Sequence, residues 1–194
     1  QYLKKRNYPC PALFTNRNKQ VINFYKGNPC VFIEFIEGQH VETLNINQRN
    51  EVIKQVAILQ RITQNYRPAY KKFRWNYGIA LCEMLAREKS EQINTENSRQ
   101  KFLWYQNELG NLQLPNSLPK GVCHCDFHFT NILFRADNFV ALLDFDDANY
   151  TYIVFDVVSL IDSWAWSHEQ PLSFSTARMI LQEYNKHRRL NTNE

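Results

Sequence analysis

The spacing of apolar residues changes character along the chain: short runs at the start, helical spacing in the middle, short runs again near residues 120–143, and helical spacing at the end. Runs at Ala12–Thr15, Gln20–Tyr25 and Cys30–Phe35 are separated by Asn16-Arg17-Asn18 and Gly27-Asn28-Pro29, both turn chemistries, and predict three strands. Glu37-Gly38 closes this section. Val52, Val56 and Leu59, flanked by Ile53 and Ile62, then recur at helical spacing. They predict a helix from Gln48 to Tyr66 with Asn47 as N-cap and Pro68 as its stop. A second helix is expected over Ile79–Arg87, and a third over Glu96–Leu109 with Gly110 at its C-terminal cap. Leu114-Pro115 through Pro119-Lys120 reads as a rigid connector. Strands follow at Gly121–His124, Ile132–Phe134 and Phe139–Leu143, the last two joined by Arg135-Ala136-Asp137-Asn138 as a hairpin turn. Tyr152–Trp166 and Ser175–Arg189 read as closing helices, and no internal repeat or low-complexity tract interrupts the order.

Composition adds limits more than detail. The 194 residues suit one domain or one and a half, and 44% apolar with 22% charged residues is ordinary for a soluble globular chain. The net charge of +4 arises from 23 basic and 19 acidic residues spread through the chain, with local clusters at Lys4-Lys5-Arg6, Lys71-Lys72 and Lys186-His187-Arg188-Arg189. These clusters carry no nucleic-acid reader motif, so no nucleic-acid partner is indicated. No apolar run approaches the roughly 18 residues of a spanning helix, and the start has no signal-peptide organisation, so neither membrane nor secretion is expected. Five cysteines (Cys10, Cys30, Cys82, Cys123 and Cys125) follow no extracellular framework and suggest reduced thiols in a cytoplasmic setting. The first residue, Gln1, raises the expectation of a fragment or a processed product.

The most informative segment is His124-Cys125-Asp126-Phe127-His128-Phe129-Thr130-Asn131, followed by an apolar run into Asp144. Phosphoryl transfer from a nucleotide needs a carboxylate to receive a hydroxyl proton and oxygen ligands to hold magnesium on the phosphates. Asp126, Asn131 and Asp144 supply those three groups in that order. Asp144, at the end of an apolar strand, is expected to be buried, and an unpaired buried carboxylate costs several kcal/mol unless a cation or strong donors attend it. Zinc is the rival reading, from Cys123, His124, Cys125 and His128. Strand alternation speaks against it, since it sets Cys123 and Cys125 on one face and His124 on the other.

His124-Cys125-Asp126 with Asn131, the hairpin, and Asp144-Phe145-Asp146-Asp147 resemble the small-molecule kinases of the aminoglycoside-phosphotransferase-like family. Phe32-Ile33-Glu34-Phe35-Ile36-Glu37-Gly38, Tyr8-Pro9-Cys10-Pro11, Phe155-Asp156-Val157-Val158 and Asp162-Ser163-Trp164 look most like its homoserine kinase branch. The resemblance implies an α+β, protein-kinase-like fold. Residues 1–38 would be the remnant of a small N-lobe sheet, and 39–194 a mainly helical C-lobe with a catalytic β-hairpin. It implies ATP and magnesium as cofactors, and a small-molecule hydroxyl such as that of homoserine, choline, an aminoglycoside or another amino alcohol as acceptor. Oligomeric state is not implied.

Carried over residue by residue, the resemblance makes Asp126 the base and Asn131 and Asp144 the metal ligands. Backbone near Glu34, Phe35 and Ile36 would meet the adenine. His124 is expected to orient the loop, and Asp156 to serve as a cap or buried anchor for it. His128 is open between a substrate or phosphate contact and packing, and Asp146 and Asp147 between tuning the site and lying in a solvated turn. Asp147 or Glu37 could meet an acceptor ammonium group. Two departures stand out. Cys125 replaces the family's usual glycine, and none of the five glycines pairs into a phosphate-covering loop, nor does a strand lysine accompany one. The chain is therefore expected to be a piece of a longer active kinase, or else a nucleotide-binding protein without catalysis, and to have little phosphotransferase activity alone.

Overall fold

The computed structural model describes residues 1–68, 78–166 and 171–194; the basic pair Lys71-Lys72 lies outside them. The first section forms two antiparallel ladders. β1 (Leu13–Phe14) pairs with β4 (Phe32–Ile33), and β2 (Asn23–Tyr25) pairs with β3 (Asn28–Cys30). The turn between β2 and β3 is Lys26-Gly27, with φ of 50° and 82°. Two consecutive positive φ values match the twist of a two-residue hairpin. The single strand expected at Cys30–Phe35 is divided: Cys30 pairs with Asn23, whereas Phe32 pairs with Phe14. Pro29, expected in a turn, lies within β3.

α1 (Ile46–Thr63) is the central helix, and its cap is Asn45, not Asn47. The Asn45 side chain accepts from the Gln48 backbone while the Gln48 side chain accepts from the Asn45 backbone, satisfying two donors that the first turn leaves without partners. Val52, Ile53, Val56 and Leu59 on its buried face enter one core with Ile132, Phe134 and Leu142, with Val157 and Leu160, and with Ile180 and Tyr184. Each such side chain contributes roughly 1.5–3 kcal/mol by leaving water. These partners come from β6 (Ile132–Arg135), β7 (Asn138–Leu142), α4 (Phe155–Ala165) and α5 (Phe174–His187).

α2 (Ile79–Ile93) and α3 (Glu96–Asn111) form a helical hairpin, both longer than the apolar spacing predicts. Gly110, expected as a cap, is inside α3, and Leu112 ends the helix. β5 (Lys120–Cys123) pairs with β8 (Asn149–Tyr152), and the latter corrects the expectation that Tyr152 opens a helix. Alternating burial of Asn149 and Thr151 against half-exposed Tyr150 and Tyr152 is the period-2 signal that the sequence carried there. β6 and β7 form the expected hairpin, with Ala136 at φ 52° in its turn. Among the described residues, no helix is long and apolar enough to cross a membrane.

Candidate active site

β5 ends at Cys123, and the chain turns sharply at Cys125, whose φ is 67°. The turn is held from below by Asp156 at the start of α4, buried to 1% exposure. Its two carboxylate oxygens accept from the backbone N–H of His124 at 3.0 Å and of Cys125 at 2.8 Å. Burial pushes the Asp156 carboxyl above its ordinary range, while these two N–H groups work to keep it charged. The Gln60 amide beside it favours the charged form as well, although Gln60 Nε2 makes no hydrogen bond of ordinary geometry. Asp156 is thus the buried anchor expected of it. The strand alternation used to separate Cys123 from His124 does not extend to Cys125, because that residue is in the left-handed region. Cys123 is buried with Sγ donating to Tyr152 O at 3.4 Å, and burial drives its thiol far up.

His124 is fully buried between the rings of Phe127 and Phe145, with centroids at 5.1 and 4.7 Å. Its Nε2 lies 2.8 Å from Leu143 O. A carbonyl only accepts, so Nε2 carries the proton and Nδ1 is left to accept from Asp126 N at 3.3 Å. This ring joins the loop to the end of β7 and holds the backbone of the next candidate residue.

Asp126 itself is exposed. Its Oδ2 accepts from Asn131 Nδ2 at 2.6 Å, and its carbonyl accepts from the same amide at 3.2 Å and from His128 N at 2.8 Å. Asn131 closes a 3-10 turn, Phe129–Asn131, and its backbone is fixed from two sides. Asn131 N donates to His128 O at 2.9 Å, and Asn131 O accepts from Leu143 N at 2.7 Å. That last bond brings Asn131 beside Asp144. Asp144 is exposed at φ 52°, with Oδ1 accepting from Asp146 N at 3.3 Å. The argument that burial obliges Asp144 to hold a cation is therefore overturned: β7 ends at Leu142, and the carboxylate has already left the core.

Asp126 and Asn131 are thus in contact, and Asp144 follows the residue whose N–H is bonded to Asn131 O. The donor set suits magnesium, since the Asn131 nitrogen is committed to Asp126 and leaves the amide oxygen as its ligand atom, beside an exposed carboxylate. Among the described residues there is no cluster of three His, Cys, Asp or Glu that could hold a metal. A magnesium ion here would take its remaining ligands from phosphates and water.

Of the other expected site residues, His128 and Asp146 are bonded to these three, whereas Glu34, Phe35, Ile36 and Glu37 lie in the segment after β4. His128 is exposed, its ring tilted against Phe129 with centroids 4.2 Å apart, and its Nδ1 is 3.0 Å from Thr130 Oγ1. Asp146 and Asp147 are exposed in the turn after Asp144. Glu34 is otherwise engaged: its carboxylate accepts from Lys4 Nζ at 2.7 Å and Ala12 N at 2.9 Å, and its N–H donates to Ala12 O. The Lys4 ammonium holds the Glu34 carboxyl below the usual carboxylate range. The Glu34 N–H is thus engaged, so an adenine at this segment would meet the Glu34 carbonyl or the backbone of Phe35 and Ile36, of which Phe35 is exposed and Ile36 half-buried. Glu37 lies 3.8 Å from Arg135 on the exposed hairpin turn.

Sequence reasoning missed the attachment of this linker to the hairpin. Gln39 exchanges two backbone bonds with Phe134, at 2.8 and 2.9 Å. His40 then places Nδ1 within 3.2 Å of Phe129 O and 3.0 Å of Ile132 O. Nothing local marks these residues, since their partners are some 90 positions away.

Several known proteins share this architecture. A homoserine kinase of Bartonella henselae is 27% identical over 198 residues, covering 98% of this chain and 59% of the relative. One of Rhodopseudomonas palustris (strain BisB5) is 25% identical over 194 residues, with 100% and 59% covered. The chain thus spans about three fifths of the length of the curated relatives it matches. Among solved structures, amicoumacin kinase hAmiN in complex with AMP-PNP, Ca2+ and Ami superposes with a TM-score of 0.65 at 13% identity, covering 98% of this chain and 60% of that one. A microcompartment-associated aminopropanol kinase does so at 0.63 and 14%, with 98% and 63% covered. At such identities these likenesses establish the fold, which is the α+β, protein-kinase-like fold of aminoglycoside phosphotransferases. The model of the family described as "Phosphotransferase enzyme family" matches residues 1–190, and the chain belongs to that family, APH.

Proposed function

We propose that these residues form the acceptor and metal side of an ATP-dependent kinase that phosphorylates the hydroxyl of a small molecule, homoserine first. The observation that carries this reading is the Asp126 carboxylate, exposed yet fixed at 2.6 Å by Asn131, with Asp144 joined to the same turn through Leu143. Asp126 orients the acceptor hydroxyl and takes its proton as the oxygen bonds to the γ-phosphorus and the bond to the departing ADP breaks. Asn131 and Asp144 would hold magnesium, which when bound would neutralise charge on the phosphates. His124 keeps the Asp126 backbone in place. The curated relatives named homoserine kinase support that acceptor, while the aminopropanol and amicoumacin kinases keep other amino alcohols and antibiotics as the alternatives.

Residues 1–38 belong to the small lobe in this reading and 39–194 to the helical lobe, in a cytoplasmic enzyme. The 194 residues alone are proposed to have little phosphotransferase activity. None of the five glycines is spaced for a phosphate-covering loop, and Lys4 is bound to Glu34 and to Cys10 O, not presented to a phosphate. Robust ATP turnover by this polypeptide would remove that part of the proposal. The wider reading is tested by thermal unfolding with ATP, with and without magnesium, and by ADP formation in the full-length gene product with homoserine and a panel of amino alcohols. Asp126→Asn is expected to lower kcat/KM about 10²–10⁴-fold while sparing magnesium-dependent protection. Turnover unchanged in that variant, or ATP protection indifferent to magnesium, would refute it.

A further inference from the structure

We propose that His40 is a positioning residue, locking the turn that carries Asn131 to the linker between the two lobes. It rests on the kinase reading only for its consequence, since its geometry stands alone. The linker is first clamped along β6. At Gly38 an added Cβ would lie 2.9 Å from Leu133 Cβ and 3.0 Å from Val140 Cγ2, so the backbone runs directly against the hairpin. Gln39 then pairs with Phe134 in both directions. The next residue reaches back toward the other end of β6, where the Asn131 turn begins.

The two atoms that His40 Nδ1 meets, Phe129 O and Ile132 O, are both carbonyl oxygens. Each can only accept, so Nδ1 carries the proton and donates to both. Those carbonyls bracket Asn131: Phe129 O also accepts the Ile132 N–H that caps the 3-10 turn, and Ile132 is the first residue of β6. A short 3-10 turn is weakly self-supporting. Here the Asn131 backbone is tied to the end of β7 through Leu143, and the carbonyls on either side of it are tied to the linker through His40. The side-chain amide is thereby aimed at Asp126 with its oxygen left for a metal. Linker and metal-ligand turn become one mechanical unit, so a shift of the linker is felt at Asn131 and through it at Asp126.

The test compares His40→Ala, which removes the donor, with His40→Asn, whose amide nitrogen can occupy the place of Nδ1. Amide hydrogen exchange over residues 129–133 and the side-chain amide resonance of Asn131 are read in the whole 194-residue chain. His40→Ala is expected to speed exchange about five- to tenfold in this segment and to move the Asn131 resonance, the size expected for one lost hydrogen bond. His40→Asn is expected to restore both. In wild type, His40→Asn and His40→Ala, the magnesium concentration giving half-maximal ATP protection is expected to be lowest, close to it, and about three- to tenfold higher, respectively. Exchange and resonance unchanged in His40→Ala, or altered equally in both variants, would overturn the proposal. If the wild-type chain shows no magnesium–ATP response, the same titration in the full-length gene product decides the kinase reading, while the exchange readout decides the role of His40.

Discussion

Replacing Asp156 by alanine should release the loop that carries Asp126. The carboxylate is 1% exposed and accepts two backbone N–H groups, at 3.0 and 2.8 Å. A buried donor left without a partner costs about 1–3 kcal/mol. Two of them, less the burial penalty that disappears with the charge, give a net loss of about 2–4 kcal/mol, a large fraction of the roughly 5–15 kcal/mol expected of a domain. Asp156→Asn keeps one accepting oxygen and sets an NH2 group against the other donor, so about 1–3 kcal/mol should be lost. Urea unfolding of the three proteins, with exchange at His124 and Cys125, measures both the stability and its location. The pH dependence supplies an independent sign. Burial raises the folded-state value above the ordinary 3.8, so the folded chain binds more protons than the unfolded one in the window above 3.8. The stability that this linkage adds is complete below 3.8 and is lost as pH rises through the folded value. The gap between wild type and Asp156→Asn should therefore narrow over that window and then level off. A loss below about 0.5 kcal/mol in Asp156→Ala, with exchange at residues 124 and 125 unchanged, would refute the reasoning.

Three further outcomes follow from backbone geometry. Cys125 at φ 67° bears the left-handed penalty of roughly 1–2 kcal/mol, and glycine would return about 0.5–1 of it through the unfolded chain, so Cys125→Gly should gain about 0.5–1 kcal/mol by urea unfolding. A loss on that change would show that the thiol's own contacts outweigh the strain. Gly110 sits inside α3 with nothing within 4 Å of an added Cβ, so Gly110→Ala should stabilise by about 0.5–1 kcal/mol. Gly38→Ala meets Leu133 and Val140 and should cost about 1–3 kcal/mol. The opposite result for Gly110 would restore it to a capping role.

The sequence by itself determined what is local. The spacing of Asp126 and Asn131 placed both on one short loop and turn, the apolar period of Val52, Val56 and Leu59 fixed the buried face of α1, and the turn residues near Ala136 fixed the β6–β7 hairpin. The Asn47 cap was off by two residues because several asparagines there could serve, and only the reciprocal bonds with Gln48 select Asn45. Tertiary structure decided everything that depends on a distant partner. Cys30–Phe35 reads as one strand in any short window, yet it divides because its two halves pair with strands on different ladders. Tyr150 to Tyr152 becomes a strand because β5, about thirty residues earlier, offers an edge to pair with. An apolar run into Asp144 suggested burial, but where the run leaves the core depends on the end of β7 against β6. The anchors Asp156 and His40 act through backbone groups 31 to 92 residues away, and a hydrogen bond to a main-chain atom leaves no mark on the identity of the residue that receives it.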